Sequence, residues 1–99
     1  MSNVGKIILE QLGGNVFTAL TGANSFSTSG YDLTMRLPGG RGMRIKLNAS
    51  DTYDIDYYVF RGTTVKDLGR REGIYTDMLK DTFEELTGLY VTFHRRQPA

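Results

Sequence analysis

Asp51, Asp54 and Asp56 lie close together, and Asp54 and Asp56 are two positions apart, so on a strand they project from one face. Such a cluster has the chemistry to seat a hard cation such as magnesium, with water completing the shell, as in metal-dependent nucleases. No phosphate loop, zinc-ligand spacing or complete metal motif accompanies it. Pairing with cations on a neighbouring strand accounts for the same acids without a metal. The only histidine, His94, lies in the tail beside Arg95 and Arg96, which disfavour its protonation, and a tail histidine reads as solvated and not as the base of a nucleophile. The sequence therefore predicts no catalytic residue, no cofactor and no metal site.

Charge is most strongly sorted over residues 33–50. Two apolar/polar alternations, Leu-Thr-Met-Arg-Leu and Met-Arg-Ile-Lys-Leu, flank the turn-forming run Pro38-Gly39-Gly40-Arg41-Gly42. A β-hairpin with these strands sends Leu33, Met35, Leu37, Met43, Ile45 and Leu47 to one face and Thr34, Arg36, Arg44 and Lys46 to the other. Arg41 falls at the tip, and the segment holds no Asp or Glu. A phosphate-cradling role for the glycines is disfavoured, because nucleotide-binding loops lead from a strand into a helix and this one leads into another strand. Turn chemistry explains them, and leaves Arg41 as a contact at the tip.

Positioning these residues needs a sheet and helices to cover it. Val4, Ile7, Ile8 and Leu12 have helical spacing, and Gly13-Gly14 ends the run. Residues 15–21, rich in β-formers, predict a first strand, and 22–30 predict a loop anchored by Phe26. After the hairpin, residues 53–61 alternate as a strand, with Tyr58 and Phe60 on the side of Asp54 and Asp56. Residues 63–68 predict a further strand and 69–73 a polar turn. Tyr75, Met78, Leu79, Thr82, Phe83 and Leu86 then recur at three and four, with Asp77 near the start and Gly88 past the end of a second helix. Its other side, Asp77, Asp81, Glu84 and Glu85, reads as a solvated acidic face. A short strand over 89–93 and a basic tail from 94 complete the expectation. The fold class that follows is α+β, an antiparallel sheet of about five strands with two helices packed on one face. Leu33, Met35, Met43, Ile45, Leu47, Ile55, Met78, Leu79, Phe83 and Leu86 form its expected core.

At 99 residues the chain is long enough for one core and too short for two, so residues 1–99 read as a single domain. No apolar run is long enough for a bilayer or a signal-peptide core, which predicts a soluble, cytoplasmic protein. The absence of cysteine removes disulfides and thiolate chemistry. Lys plus Arg number 12 against 11 Asp plus Glu, so any electrostatic function has to be local.

Several fragments in order, Leu12-Gly13-Gly14-Asn15-Val16-Phe17, Leu20-Thr21-Gly22-Ala23, Lys46-Leu47-Asn48, Tyr53-Asp54-Ile55-Asp56, Arg61-Gly62, Gly73-Ile74-Tyr75 and Thr87-Gly88-Leu89-Tyr90, cover most of the chain. Together they resemble a set of short proteins of unassigned function encoded by bacteriophages and other bacterial mobile elements. The chain departs from that pattern over 38–42 and after Tyr90. The resemblance implies a setting inside a bacterial host, and with it a modulator or inhibitor of a host protein complex, including a defence or nucleic-acid-handling one.

Three functions follow as expectations. In the first, the chain binds a host protein through its basic hairpin, with Tyr31, Tyr58, Phe60 and Tyr90 as aromatic anchors. In the second it binds DNA or RNA directly: a two-stranded ribbon fits a major groove, Arg36, Arg41, Arg44 and Lys46 would be joined by Arg95 and Arg96, and Tyr58 and Phe60 offer stacking. In the third it self-assembles as a homo-oligomer through a sheet edge or its oppositely charged surfaces.

Overall fold

A computed structural model of the chain describes residues 4–28 and 30–89. Two helices come first, α1 (Val4–Leu12) and α2 (Gly14–Thr21). Five strands follow, β1 (Asn24–Thr28), β2 (Asp32–Leu37), β3 (Arg41–Leu47), β4 (Tyr53–Arg61) and β5 (Thr64–Ile74). A short 3₁₀ turn, Thr76–Met78, leads into α3 (Leu79–Thr87). The strands pair in sequence order, β1-β2-β3-β4-β5, every pair antiparallel. The α+β class and the five-stranded sheet are therefore as the periodicities predict.

One face of the sheet is the core. Leu33, Met35, Leu37, Met43, Ile45, Tyr53, Ile55 and Tyr57 are buried there by strict alternation along β2, β3 and β4. They share one cluster with Val4, Ile8 and Leu12 of α1, Phe17 of α2, and Leu79 and Phe83 of α3. The helices thus lie on the same side of the sheet. Phe17 meets Phe83 edge to face, with ring centroids 5.0 Å apart, and both side chains are fully buried. Close approach of α1 needs Gly5: a Cβ there would stand 1.9 Å from Cγ2 of Thr28.

Four expectations are corrected. Residues 15–21 are helical, because Val16, Phe17 and Leu20 lie one, three and four apart, and burying Phe17 against Phe83 outweighs the local β-propensity. Thr18 and Thr21 further stabilise this helix by donating their hydroxyls to the carbonyls of Asn15 and Phe17, at 2.9 and 2.8 Å. Three helices therefore stand where two were expected. The polar run 22–30 contributes the edge strand β1, irregular at Ser25, whose φ is 55°, with Phe26 packed against the core. Residues 69–73 form no turn: β5 continues to Ile74 by absorbing two register shifts against β4. Finally, Met78 is 49% exposed, since the 3₁₀ turn shifts the phase of the apolar stripe before α3 begins. The expected strand over 89–93 and the tail from 94 lie almost wholly outside the described residues, with only Leu89 inside.

A candidate binding face on the open side of the sheet

No helix among the described residues covers the second face of the sheet. The strand registers sort its side chains into rows that run across the strands. At the hairpin end Phe60 stands opposite Val65. The next row reads Arg36, Gly42, Tyr58, Asp67, then Thr34, Arg44, Asp56, Arg70, then Asp32, Lys46, Asp54. Arg36, Arg44, Lys46, Tyr58 and Phe60 thus do share one face, as the alternation predicts.

Arg41 does not belong to it. It opens β3 in the phase of Met43 and Ile45, opposite Leu37 and Val59, so its side chain turns to the helix-bearing side. There its Nη1 donates to the hydroxyl of Tyr57 at 2.6 Å and its Nε to the carbonyl of Pro38 at 3.1 Å. The glycines of 38–42 let the chain turn, but the arginine closes one end of the core and is no exposed tip contact. Arg95 and Arg96 lie outside the described residues, as does Tyr90. Tyr31 is exposed beside two hollows at the opposite end of the sheet, one of about 420 Å³ bordered by Leu47, Asn48, Ala49 and Asp51, the other of about 180 Å³ bordered by Asp32, Arg44 and Lys46.

The charge on the face is patterned. Arg44 is held by Asp32, Nε to Oδ2 at 2.7 Å, and Asp32 is buried. That acid lies one residue outside the acid-free segment 33–50, and the diagonal across the β2-β3 register, which brings it to Arg44, was the signal available for it. Asp56 pairs across the sheet with Arg70, which also holds Glu72 at 2.8 Å. These two acids raise the pKa of Arg70 further. Asp54 accepts hydrogen bonds from Nδ2 of Asn48 at 3.1 Å and from the backbone N–H of Gly73 at 3.2 Å. Asp54 and Asp56 do stand opposite Lys46 and Arg44, yet their bonds go elsewhere. Asp51 is exposed in the β3-β4 turn with φ 62°, apart from them. Among the described residues no three His, Asp or Glu side chains gather as metal ligands.

The corner at Arg36 is different. Its guanidinium lies over the ring of Phe60, 4.4 Å from the centroid, and Tyr58 meets Phe60 edge-on at 5.5 Å. Gly42 makes this possible: a Cβ there would come within 2.5 Å of Cε1 of Tyr58, so the tyrosine ring occupies the space a side chain would fill. A hollow of about 240 Å³ opens beside the stack, bordered by Ser25, Thr34, Met35, Arg36, Tyr58 and Phe60. Partial burial pushes the Tyr58 phenol above its ordinary pKa, with Arg36 and Arg44 pulling it down and Asp56 pushing it up to a lesser degree, so its hydroxyl stays protonated at neutral pH. Neither Arg36 nor Lys46 has an ion pair among the described residues.

No known protein family, curated protein or solved structure matches the chain.

Proposed function

We propose that this chain is a non-enzymatic binding module that engages a protein through the open face of its sheet, with Arg36, Tyr58 and Phe60 as the anchor. One observation carries the reading: an arginine, a tyrosine and a phenylalanine packed on one another at the surface, a composition in which protein interfaces concentrate their binding energy. The surrounding charges support it. Acids and bases alternate across the rows and largely cancel, which suits the rim of a protein interface better than a polyanion. The resemblance to short phage and mobile-element proteins supports a host protein or protein complex, in the bacterial cytoplasm, as the partner. No described helix is long and apolar enough to cross a membrane.

Direct binding of DNA or RNA is the second reading, and the aromatic pair under Arg36 favours it as a stacking surface. Its electrostatic basis is narrower than the sequence implies, since Arg41 faces the other side and Arg44 is neutralised by Asp32. Self-assembly through the edge of β5, which no described strand covers, is less supported, because two register shifts and the charges of Lys66, Asp67, Arg70, Arg71 and Glu72 blunt edge pairing.

Affinity capture from a bacterial lysate, with and without nuclease, tests the proposal. The expected result is a protein retained after nuclease by the wild type and lost by the Arg36→Ala/Phe60→Ala variant. Retention by a folded double variant, or loss of the captured protein on nuclease treatment, overturns it.

A further inference from the structure

We infer that the hollow beside Arg36, Tyr58 and Phe60 receives a single carboxylate from its partner, an Asp or Glu side chain next to an apolar residue. This rests on the protein-binding reading and narrows it to one kind of partner segment.

The donors decide the ligand's charge. With its Cζ 4.4 Å above the centre of Phe60, the Arg36 guanidinium is held by a ring instead of an acid, which leaves N–H groups available to a planar, bidentate acceptor. Tyr58 adds an O–H. The hydroxyl hydrogens of Ser25 and Thr34 are used nearby, on Oδ1 of Asn24 at 2.8 Å and the carbonyl of Ser27 at 3.3 Å. Among the described residues Arg36 and Tyr58 are then the side-chain donors left to the hollow, and none of those that border it is an acid.

The neighbours decide how many charges the ligand carries. Asp67 stands opposite Tyr58 and Asp56 lies one row on, while the nearest further cation, Arg44, is occupied by Asp32. A nucleic-acid backbone leaving the hollow across the strands would run over these carboxylates, and a lone carboxylate would not. Phe60 and Val65, 37% and 58% exposed and opposite each other on β4 and β5, provide an apolar strip beside the hollow for the residue next to the acid.

A displayed library of random linear peptides is the test, selected in parallel on the wild type, Arg36→Glu and Phe60→Ala. Both residues are exposed, so melting curves close to wild type are expected and confirm folding. Wild-type selection should enrich Asp or Glu beside an apolar residue. Changing that acid to its amide, or Arg36 to Ala, should weaken a selected peptide about tenfold or more. Selection on Arg36→Glu should exchange the acid for Lys or Arg. An acid preference unchanged by Arg36→Glu, or a wild-type pool without acidic peptides, overturns the inference. Nuclease-resistant capture that depends on Phe60 would still uphold the broader reading in that case. Arg36-dependent, steeply salt-sensitive binding of a thymidine oligonucleotide would replace both with nucleic-acid recognition.

Discussion

The two faces of one sheet divide the work of this molecule. On the covered face Leu33 to Leu37, Met43 to Leu47 and Tyr53 to Val59 alternate as apolar residues and tyrosines with bonded hydroxyls, Arg41 caps the row at Tyr57, and the helices exclude water. On the open face the same strands carry mainly charged residues, with Thr34 and Gly42 among them, and the aromatic rings of these strands gather at the Arg36, Tyr58, Phe60 corner. Burial makes the first face insensitive to sign and sensitive to volume, whereas solvent makes the second tolerant of substitution wherever an ion pair or ring is not held in place. Stability and binding should accordingly map to opposite sides of β4.

The covered face should give the largest effect. Phe83→Ala removes a fully buried ring and its edge-to-face contact with Phe17, and is expected to cost about 3–5 kcal/mol. Urea unfolding measures this directly. A midpoint unchanged from wild type would mean that α3 does not pack on the sheet as described.

Within the open face, Arg44 and Lys46 are neighbours of like charge with unlike consequences. Arg44→Ala removes the 2.7 Å ion pair to a buried carboxylate and should cost about 1–2 kcal/mol, while Lys46→Ala should stay within about 0.5 kcal/mol. Equal losses for the two would erase the distinction between a held and a free cation.

These contrasts also mark what was legible in the sequence. The hairpin, β4 and α3 could be read because their periods are long and unambiguous, and the shared face of Arg36, Arg44, Lys46, Tyr58 and Phe60 followed from period two alone. Helix α2 is hidden in the sequence because its β-formers mask their helical spacing, and its reason, the Phe17–Phe83 contact, joins segments 66 positions apart. The side taken by Arg41 is hidden for a different reason. A glycine-rich stretch hides where a turn ends and a strand begins, and one residue of phase moves a side chain to the other face. The ion pair to Asp32 and the role of Gly42 depend on cross-strand neighbours, which no single strand reveals.

Gly42 offers a sharper probe of the corner. Gly42→Ala places a methyl where the Tyr58 ring lies, so the ring must move; the ring is a side chain and β-propensity partly compensates, giving a net cost of about 1 kcal/mol. In a Tyr58→Ala background the same change should cost nothing or stabilise. A double-mutant cycle without coupling would show that the two residues do not share that space.

The smallest effect is expected in alkali, at Tyr58 on the open face. Burial raises the Tyr58 pKa above its ordinary value of 10.0, with Arg36 the largest influence in the opposite direction. A phenol with a higher pKa in the folded than in the unfolded chain keeps its proton longer in the fold. Its contribution to stability is thus complete below pH 10 and is lost as pH rises through the raised value. In a tyrosinate absorbance titration, the component missing from Tyr58→Phe should ionise above pH 10, and the wild type should lose stability relative to that variant over the same range. Arg36→Ala removes the opposing charge and should move this component higher still. A Tyr58 component at or below its ordinary value, or one that does not respond to Arg36→Ala, would place the phenol in open water away from the guanidinium and dissolve the corner on which the binding proposal stands.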